Sequence, residues 1–363
     1  MTESSFYAMI KKKEDERNMK TTLYHASELD SPLIKAHIHE VIASGGLVVF
    51  PTETVYGIGA NALDSVAVKR IYHAKGRPSD NPLILHLDHV ERLKEHVKTI
   101  PEIAYPLMKA FWPGPLTMIF EKKDHIPMDV TGGLNTVAIR IPSHPVALKV
   151  IEIASVPICA PSANLSGKPS STEFKHVLED FMDKVDIIID GGQTDLGLES
   201  TVLDLTTSVP MILRPGMVTQ EMIEKVIHIP IIDASEVALK ETPKSPGMKY
   251  KHYAPMGEVT LLRGTVEAIE GYLNRIKKEQ IESRSSAILA PKEFDKRLIG
   301  YYQFELGSVF YPDAIAKQLY SMLRLMDELS IQTIFIVLIK EHPLNKAIMN
   351  RLLKAANHQI VDL

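Results

Sequence analysis

Short apolar runs alternate with longer stretches of helical periodicity through the first 230 residues of the chain. Asp64 can cap a helix that continues to about Ala74, and Gly76 with Pro78 would end it. Strands that alternate with helices predict an α/β fold, and since several connections are too short for a crossover helix, we expect a twisted mixed sheet. Five apolar runs have the length and composition of strands: Gly46 to Phe50, Pro82 to Leu87, Thr136 to Ile141, Val156 to Ala160 and Asp186 to Asp190.

From about Glu258 the same alternation continues in a second, smaller unit. Repeated strand-helix units in this order favour a small Rossmann-like parallel sheet. The candidate strands and helices follow one another as Val259 to Leu262, 265–279, Ala287 to Leu289, 313–329, Thr333 to Ile339, 344–356 and Ile360 to Leu363.

These patterns divide the chain into four parts. Residues 1–19 are a charged N-terminal tail, 20–230 the first α/β domain, 231–257 a linker and 258–363 the second α/β domain. The Pro and Gly residues between the two domains mark the linker.

The linker does not have the composition of a passive spacer. Between Gly247 and Pro255 it concentrates lysine, histidine and tyrosine in the run 249–253. A tyrosine has a large apolar ring with a hydroxyl at its tip, which suits it to covering a partly wet site. We therefore expect the linker to fold onto the first domain as a lid.

Composition narrows the class of protein. The 363 residues are 45% hydrophobic and 24% charged, which is typical of a folded globular chain, and the formal net charge of −4 argues against a broad nucleic-acid-binding face. The single cysteine, Cys159, is expected to be a core residue, and no Cys/His cluster has the spacing of a metal site. No apolar run reaches the ~18 residues of a membrane span. We expect a soluble cytoplasmic protein.

Four cations lie beside hydroxyl or glycine residues at the ends of apolar runs: Lys75, Arg77, Arg140 and Arg214. Lys75 and Arg77 follow a helix, so they could cap its carbonyl dipole or bind phosphate. Arg140 lies on a strand and needs an anionic partner, either an internal carboxylate or a carboxylate or phosphate of a substrate. As a set, the four suit an anionic small molecule such as a nucleotide.

The segments that hold these cations resemble, in content and order, the threonylcarbamoyl-AMP synthase family, which is built on the YrdC-like domain. The linker segment SPGMKYKHYAP (245–255) and the unit after it resemble the longer, two-domain form. The resemblance implies a YrdC-like twisted mixed sheet with helices, followed by a small Rossmann-like parallel domain. The matching segments are PTETVYGIGANA (51–62), AKGRPSDNPLILH (74–86), WPGPLT (112–117), TVAIRIPSHP (136–145), APSANLSGKPS (160–170), DGG (190–192), ESTVLDL (199–205) and LRPG (213–216).

The resemblance also implies roles for individual residues. Lys75 and Arg77 match the family's KxR pair, so they are the candidate catalytic residues and would hold the ATP phosphates. Tyr253 matches a linker residue that reaches into the nucleotide site. The other positions that match ATP contacts are Asn81, Thr136, Ser162, Asn164, Ser170 and Arg214. The positions that match L-threonine contacts are Thr54, His86, Arg140, Ser200 and the backbone of Ala160.

The implied activity is that of a nucleotidyltransferase. It would condense L-threonine, bicarbonate or CO2, and ATP to threonylcarbamoyl-AMP and pyrophosphate, for the threonylcarbamoyladenosine modification of tRNA next to the anticodon. Mg²⁺ would accompany ATP without a dedicated protein cage. The product would pass to a tRNA threonylcarbamoyl-transfer complex, and direct tRNA binding is left open.

Two other functions remain possible from the sequence. One is a non-catalytic RNA-binding module, against which the net charge and the lack of aromatic-basic interleaving weigh. The other is a carbamoyl transferase that shares the YrdC-like domain. Such transferases carry zinc-finger cysteines, and this chain has one cysteine.

Overall fold

The computed structural model describes residues 20–234, 253–280, 285–340 and 345–363, and these form two sheets. The first sheet contains β1 (Thr22–His25), β2 (Val48–Phe50), β3 (Gly57–Asn61), β4 (Ile84–His86), β5 (Leu116–Glu121), β6 (Thr136–Arg140), β7 (Ile158–Cys159), β8 (Ile187–Asp190), β9 (Thr201–Asp204), β10 (Met211–Arg214) and β11 (Ile232–Asp233). Their order across the sheet is β1-β8-β2-β3-β7-β4-β6-β5-β9-β10-β11. Parallel pairs such as β4–β6 lie beside antiparallel pairs such as β5–β6, so the predicted mixed sheet is confirmed.

Helices cover both faces of this sheet. Asp64 accepts a hydrogen bond from the Val66 amide at 2.8 Å and so caps the helix predicted there, and Gly76 ends it with a φ of 60°. The apolar faces of the helices bury the strands in two main clusters, one of which surrounds Tyr56 and Ile139 and the other Phe50 and Ile187. The helices are α1 (Pro32–Ala43), α2 (Ser65–Lys75), α3 (Leu93–His96), α4 (Ala104–Phe111), α5 (Met128–Thr131), α6 (Pro145–Ala154), α7 (Phe174–Phe181) and α8 (Gln220–Ile227).

The second sheet is the small parallel sheet expected from the repeated units. It contains β12 (Glu258–Gly264), β13 (Ser286–Ala290), β14 (Tyr302–Glu305), β15 (Thr333–Ile339) and β16 (Ile360–Asp362), in the order β14-β13-β15-β12-β16. Every pairing in it is parallel. The helices α9 (Val266–Gln280), α10 (Pro312–Glu328) and α11 (Lys346–Ala355) pack on its faces.

The two domains share a buried, polar interface. Arg324 of α10 donates to the Pro169 carbonyl at 2.8 Å and to the Asp180 carboxylate at 2.6 Å, and its side chain is almost completely buried. One apolar cluster also crosses the boundary, since Val55 and Leu198 of the first domain pack with the core of the second. The second domain therefore packs against the loops that follow β2 and precede β9.

The sequence pattern missed several strands of this architecture, among them β1, β3, β5 and β14. Gly57–Asn61 form strand β3, and Gly59 is needed there because a Cβ would lie 2.7 Å from the Phe50 ring. β14 escapes the pattern because most of its residues are exposed.

The charged tail 1–19 and residues 235–252, which include Lys249, Tyr250, Lys251 and His252 of the suggested lid, lie outside the described residues. None of the described helices is long and apolar enough to cross a membrane.

Candidate active site

A cavity opens where the carboxyl ends of β2, β4, β6 and β10 meet the loops after β7 and before β9. In open α/β sheets this is the usual position of a ligand site. The lining combines cations, hydroxyls and small residues, and Tyr253 and Glu199 complete it.

Lys75 lies at the last position of α2, but its ammonium does not cap that helix. It donates to the backbone carbonyls of Ser162 and Asn164, each at 2.5 Å, and so holds the loop after β7 against the helix end. Burial lowers the pKa of Lys75 well below its ordinary value, and the neighbouring Arg77 lowers it further. The structure therefore contradicts the alternative in which Lys75 caps its own helix.

Arg77 follows the left-handed turn at Gly76 and reaches the carbonyls of Asn81 and Pro82, at 3.4 and 3.2 Å. Burial lowers its pKa to about 10. Within the described residues, Nε of Arg77 and Nδ2 of Asn81 are buried donors without a hydrogen-bond partner. Buried donors are rarely left unsatisfied, so this corner of the site is suited to an oxygen-rich ligand.

Arg140, at the end of β6, is anchored by three contacts. Its Nη2 lies 2.6 Å from Oε1 of Glu53, its Nη1 donates to the Thr54 hydroxyl at 2.9 Å, and its Nε donates to the Gly114 carbonyl at 3.1 Å. Burial raises the pKa of Glu53, but the charge of Arg140 outweighs it and the net shift is downward. The sequence left two possible anionic partners for Arg140, an internal carboxylate or a group of a substrate. In the structure, Arg140 pairs with the internal carboxylate of Glu53.

His86 lies beside Arg140 on the paired strand β4. Burial lowers its pKa to about 3, and the charge of Arg140 contributes in the same direction. Its Nδ1 is 3.1 Å from the Ile84 carbonyl oxygen, which can accept a hydrogen bond from a ring N–H. The site therefore presents a neutral imidazole near neutral pH.

Arg214 and Glu199 form the opposite wall. Arg214 donates to the Ser200 carbonyl and hydroxyl, both at 3.1 Å. Glu199 accepts from the Ser170 hydroxyl at 2.6 Å. Burial raises the pKa of Glu199, but the guanidinium groups of Arg351 and Arg214 outweigh it and bring the pKa to about 2. The wall is thus a buried network of fixed charges.

Tyr253, at the end of the linker, closes the cavity on the side of the second domain. Its ring stacks on Tyr320 with centroids 5.3 Å apart, and the guanidinium carbon of Arg351 lies 5.6 Å from its centroid. The Ala254 amide donates to the Gly167 carbonyl at 3.0 Å, which ties this end of the linker to the loop after β7. The backbone at Tyr253 has a φ of 65°, so the chain turns sharply here.

Most of the residues predicted from the sequence line this one cavity. Three do not: Thr136 pairs with Glu121 at the start of β6, Ser170 is fully buried behind Glu199, and Asn81 lies beside Arg77 outside the lining. The predicted residues that line it are Thr54, Lys75, Arg77, His86, Arg140, Ala160, Ser162, Asn164, Ser200, Arg214 and Tyr253. Cys159 is a buried core residue as expected, and burial raises its pKa to about 12.

Sequence reasoning missed the two carboxylates of the site, Glu53 and Glu199. Both belong to the matching segments 51–62 and 199–205, and a signal was available: a buried arginine needs an anionic partner, and each of these acids lies within three residues of a strand. Both carboxylates are engaged by arginines. In the part of the chain that the structure describes, no group of three or more His, Cys, Asp or Glu residues could hold a metal ion.

Comparison with known proteins places both domains in one family. A family model described as "Telomere recombination" (Sua5, YciO, YrdC) matches residues 40–216, and one described as "Threonylcarbamoyl-AMP synthase, C-terminal domain" matches residues 218–357.

Individual proteins are similar over nearly their whole length. The threonylcarbamoyl-AMP synthase of Pyrococcus abyssi is 48% identical over 89% of this chain and 94% of its own. That of Bacillus subtilis is 44% identical over 87% and 90%. The crystal structure of P. abyssi Sua5 complexed with L-threonine superposes with a TM-score of 0.85 at 43% identity, covering 94% of this chain and all of the other.

Proposed function

The chain belongs to the threonylcarbamoyl-AMP synthase family, and from this premise we propose that it condenses L-threonine, bicarbonate or CO2, and ATP to threonylcarbamoyl-AMP and pyrophosphate. The observation that carries this proposal is the convergence of Lys75, Arg77, Arg140 and Arg214 on one cavity. Such a cluster of largely buried cations stabilises a polyanion.

The cavity has one end suited to phosphates and one suited to an amino acid. At the phosphate end, Lys75 and Arg77 face Ser162 and Asn164 of the loop after β7, and the unpartnered Nε of Arg77 would find its acceptor on a phosphate oxygen. These are the residues to which we assign the nucleotide.

At the amino-acid end, Arg140 lies with Thr54 and His86. A guanidinium has five N–H donors, and its contacts to Glu53, Thr54 and Gly114 leave donors for the carboxylate of threonine. A neutral His86 adds no charge that would compete for that carboxylate. We therefore assign L-threonine to this end, in agreement with what the resemblance implies, and the relative from P. abyssi was crystallised with L-threonine.

The chemistry needs two bond-forming steps. The neutral amine of threonine attacks the carbon of CO2 to form a carbamate with release of a proton, or attacks bicarbonate to form the same carbamate with loss of water. A carbamate oxygen then attacks the α-phosphorus of ATP, the bond to the β-phosphate oxygen breaks, and pyrophosphate leaves. Phosphoryl chemistry of this kind depends mainly on positioning and on neutralising charge, which Lys75 and Arg77 supply.

Mg²⁺ would accompany ATP and neutralise phosphate charge. The acidic residue that lines the cavity, Glu199, is already held by Ser170, Tyr320 and Arg351. The donor set thus fits an ion held by the phosphates themselves, and we assign it no protein ligand.

The product is a mixed anhydride that water destroys, so the site must exclude water. Tyr253 already covers one side of the cavity. We propose that the product then passes to a tRNA threonylcarbamoyl-transfer complex. A cytoplasmic location, where ATP and tRNA are available, is part of the same proposal.

Pyrophosphate release by the purified protein tests this function. We expect release in the presence of ATP, Mg²⁺, L-threonine and bicarbonate, and a loss of most of it when any one of the three substrates is omitted. Release that is equally fast without threonine would overturn the substrate assignment, and consumption of carbamoyl phosphate in place of bicarbonate would favour a carbamoyl transferase.

A further inference from the structure

Two side chains of the second domain enter the wall of the first domain's cavity. Arg351 of α11 is fully buried, and its Nε donates to Oε2 of Glu199 at 2.9 Å while its Nη1 donates to the Pro215 carbonyl at 2.8 Å. The hydroxyl of Tyr320, from α10, donates to the same carboxylate, 2.9 Å from Oε2. Glu199 is thus held by the second domain, although it belongs to the first.

The negative charge of Glu199 is unfavourable in a site that binds an anion. Its neighbours in the lining are the cations Lys75, Arg77 and Arg214, and an uncompensated carboxylate among them would cancel part of their attraction for phosphate. Burial makes the problem worse, because a buried charge that has lost its partner is costly. Arg351 supplies the compensating charge from outside the lining.

The fit between the domains at this point is close and specific. Gly197, two residues before Glu199, has a φ of 76°, and a Cβ there would lie 2.5 Å from the Lys317 Cα of α10. The same loop is bonded to the threonine end of the site, since the amides of Leu196 and Gly197 donate to the carbonyls of Glu53 and Thr54, at 2.8 and 3.1 Å. The second domain therefore fixes a loop that reaches both ends of the cavity.

We propose that Arg351 and Tyr320 are positioning residues for the nucleotide site, which fix the Glu199 carboxylate and neutralise its charge so that the cavity can accept a nucleoside triphosphate. The second domain is in this sense part of the active site. The inference rests on the proposed function for the identity of the nucleotide.

A double-mutant cycle on the full-length chain tests this inference through ATP affinity, measured by calorimetry with a non-hydrolysable ATP analogue. Arg351→Met removes the ion-pair partner of the charged Glu199, and we expect it to weaken binding by at least about tenfold. Glu199→Gln added to that variant removes the charge, and the double variant should bind at least about fivefold more tightly than Arg351→Met alone. A purely structural role for Arg351 gives no such recovery.

Arg324→Met is the matched control, because Arg324 is also a buried arginine of the domain interface but pairs with Asp180. Its loss should lower the melting temperature, and Glu199→Gln should not restore whatever affinity it loses. If Arg351→Met does not fold, Tyr320→Phe replaces it in the same cycle, with a smaller loss of affinity that Glu199→Gln should again restore.

The inference is wrong if Arg351→Met binds the analogue as tightly as the wild type, if the two substitutions are additive, or if the wild type does not bind it. Failure of the proposed function is a different result. In that case the wild type binds the analogue but releases no threonine-dependent pyrophosphate, and the cycle still decides the role of Arg351.

Discussion

The guanidinium of Arg140 and the carboxylate of Glu53 form an ion pair 2.6 Å long in which both side chains are about 95% buried. Arg140 comes from the end of β6 and Glu53 from the loop after β2, so the pair joins the strand and the loop at the amino-acid end of the cavity. It also keeps the arginine in one orientation, which a binding site for a carboxylate needs.

Substitution of Arg140 by lysine tests the assignment of that end. An ammonium keeps the charge opposite Glu53 but loses the planar fork of donors, so it cannot contact Glu53, Thr54 and a threonine carboxylate together. We expect the KM for threonine to rise about tenfold or more, with the KM for ATP changed by less than about twofold. Steady-state kinetics with each substrate varied in turn would show the opposite pattern if Arg140 instead served the nucleotide.

Replacement of Lys75 tests the phosphate end. Lys75→Ala removes a buried ammonium, takes away the donor to the Asn164 carbonyl and leaves the Ser162 carbonyl with the Asn164 amide as its donor. We expect turnover to fall by at least about an order of magnitude and the free energy of unfolding to fall by about 1–3 kcal/mol. Pyrophosphate release measures the turnover, and chemical denaturation measures the free energy of unfolding.

Lys69→Ala is the control for that variant, because Lys69 lies on the same helix, with its side chain 64% exposed, and pairs with Asp129. It should change neither turnover nor stability appreciably. Wild-type turnover in Lys75→Ala, with only stability lost, would show that Lys75 supports the loop and does not serve the reaction.

The sequence predicted four of the five strands of the second domain, because β12, β13, β15 and β16 each contain a short apolar run, and it missed only β14, whose residues are mostly exposed. Thr333–Ile339 coincides with the predicted strand, whereas in the first domain Ile158–Cys159 is only two residues of a five-residue prediction. The sheet there is mixed, and strand ends depend on which neighbour happens to pair with them.

Prediction of the candidate site from the sequence has the same limit. Motif order was enough to predict that Lys75, Arg77 and Arg214 belong to one site, and they do line one cavity. The pairing of charges could not be predicted, because Glu199 and Arg351 are 152 residues apart in the chain and come from different domains. Only the packing of α11 against the loop before β9 brings them together.

The buried His86 makes stability depend on pH in a defined direction. Its pKa is about 3 in the folded protein against an ordinary value of 6.5, so the unfolded chain binds the extra proton between these values. The stability that the neutral His86 contributes is therefore fully present above pH 6.5 and is lost as the pH decreases toward 3. Between pH 6.5 and 5 the contribution of His86 to the free energy of unfolding should fall by about 2 kcal/mol.

Denaturation of the wild type and of His86→Gln at several pH values checks this dependence. Other buried histidines, such as His96 and His176, also have lowered pKa values, so the wild type and the variant should both lose stability in acid. The variant should lose less, with a flatter curve over this range. Parallel curves would mean that His86 is protonated equally in the folded and unfolded states.

The close approach of α10 to Gly197 predicts that even one methyl group will disturb the domain interface. In Gly197→Ala the new Cβ would meet the Lys317 Cα and the Ala316 carbonyl oxygen, at 2.5 and 2.7 Å, and the positive φ adds strain. Backbone atoms of a packed helix cannot move aside cheaply, so we expect the free energy of unfolding to fall by about 1–3 kcal/mol.

Synthesis should fall as well, because the displaced loop carries Glu199 and bonds to the backbone of Glu53 and Thr54. Gly271→Ala is the control: a Cβ at Gly271, inside α9, meets nothing within 4 Å, and alanine should stabilise that helix by roughly 0.5–1 kcal/mol. Chemical denaturation and pyrophosphate release on both variants check the prediction. If Gly197→Ala were as stable and active as Gly271→Ala, the second domain would not need to pack closely on this loop for the first domain to work.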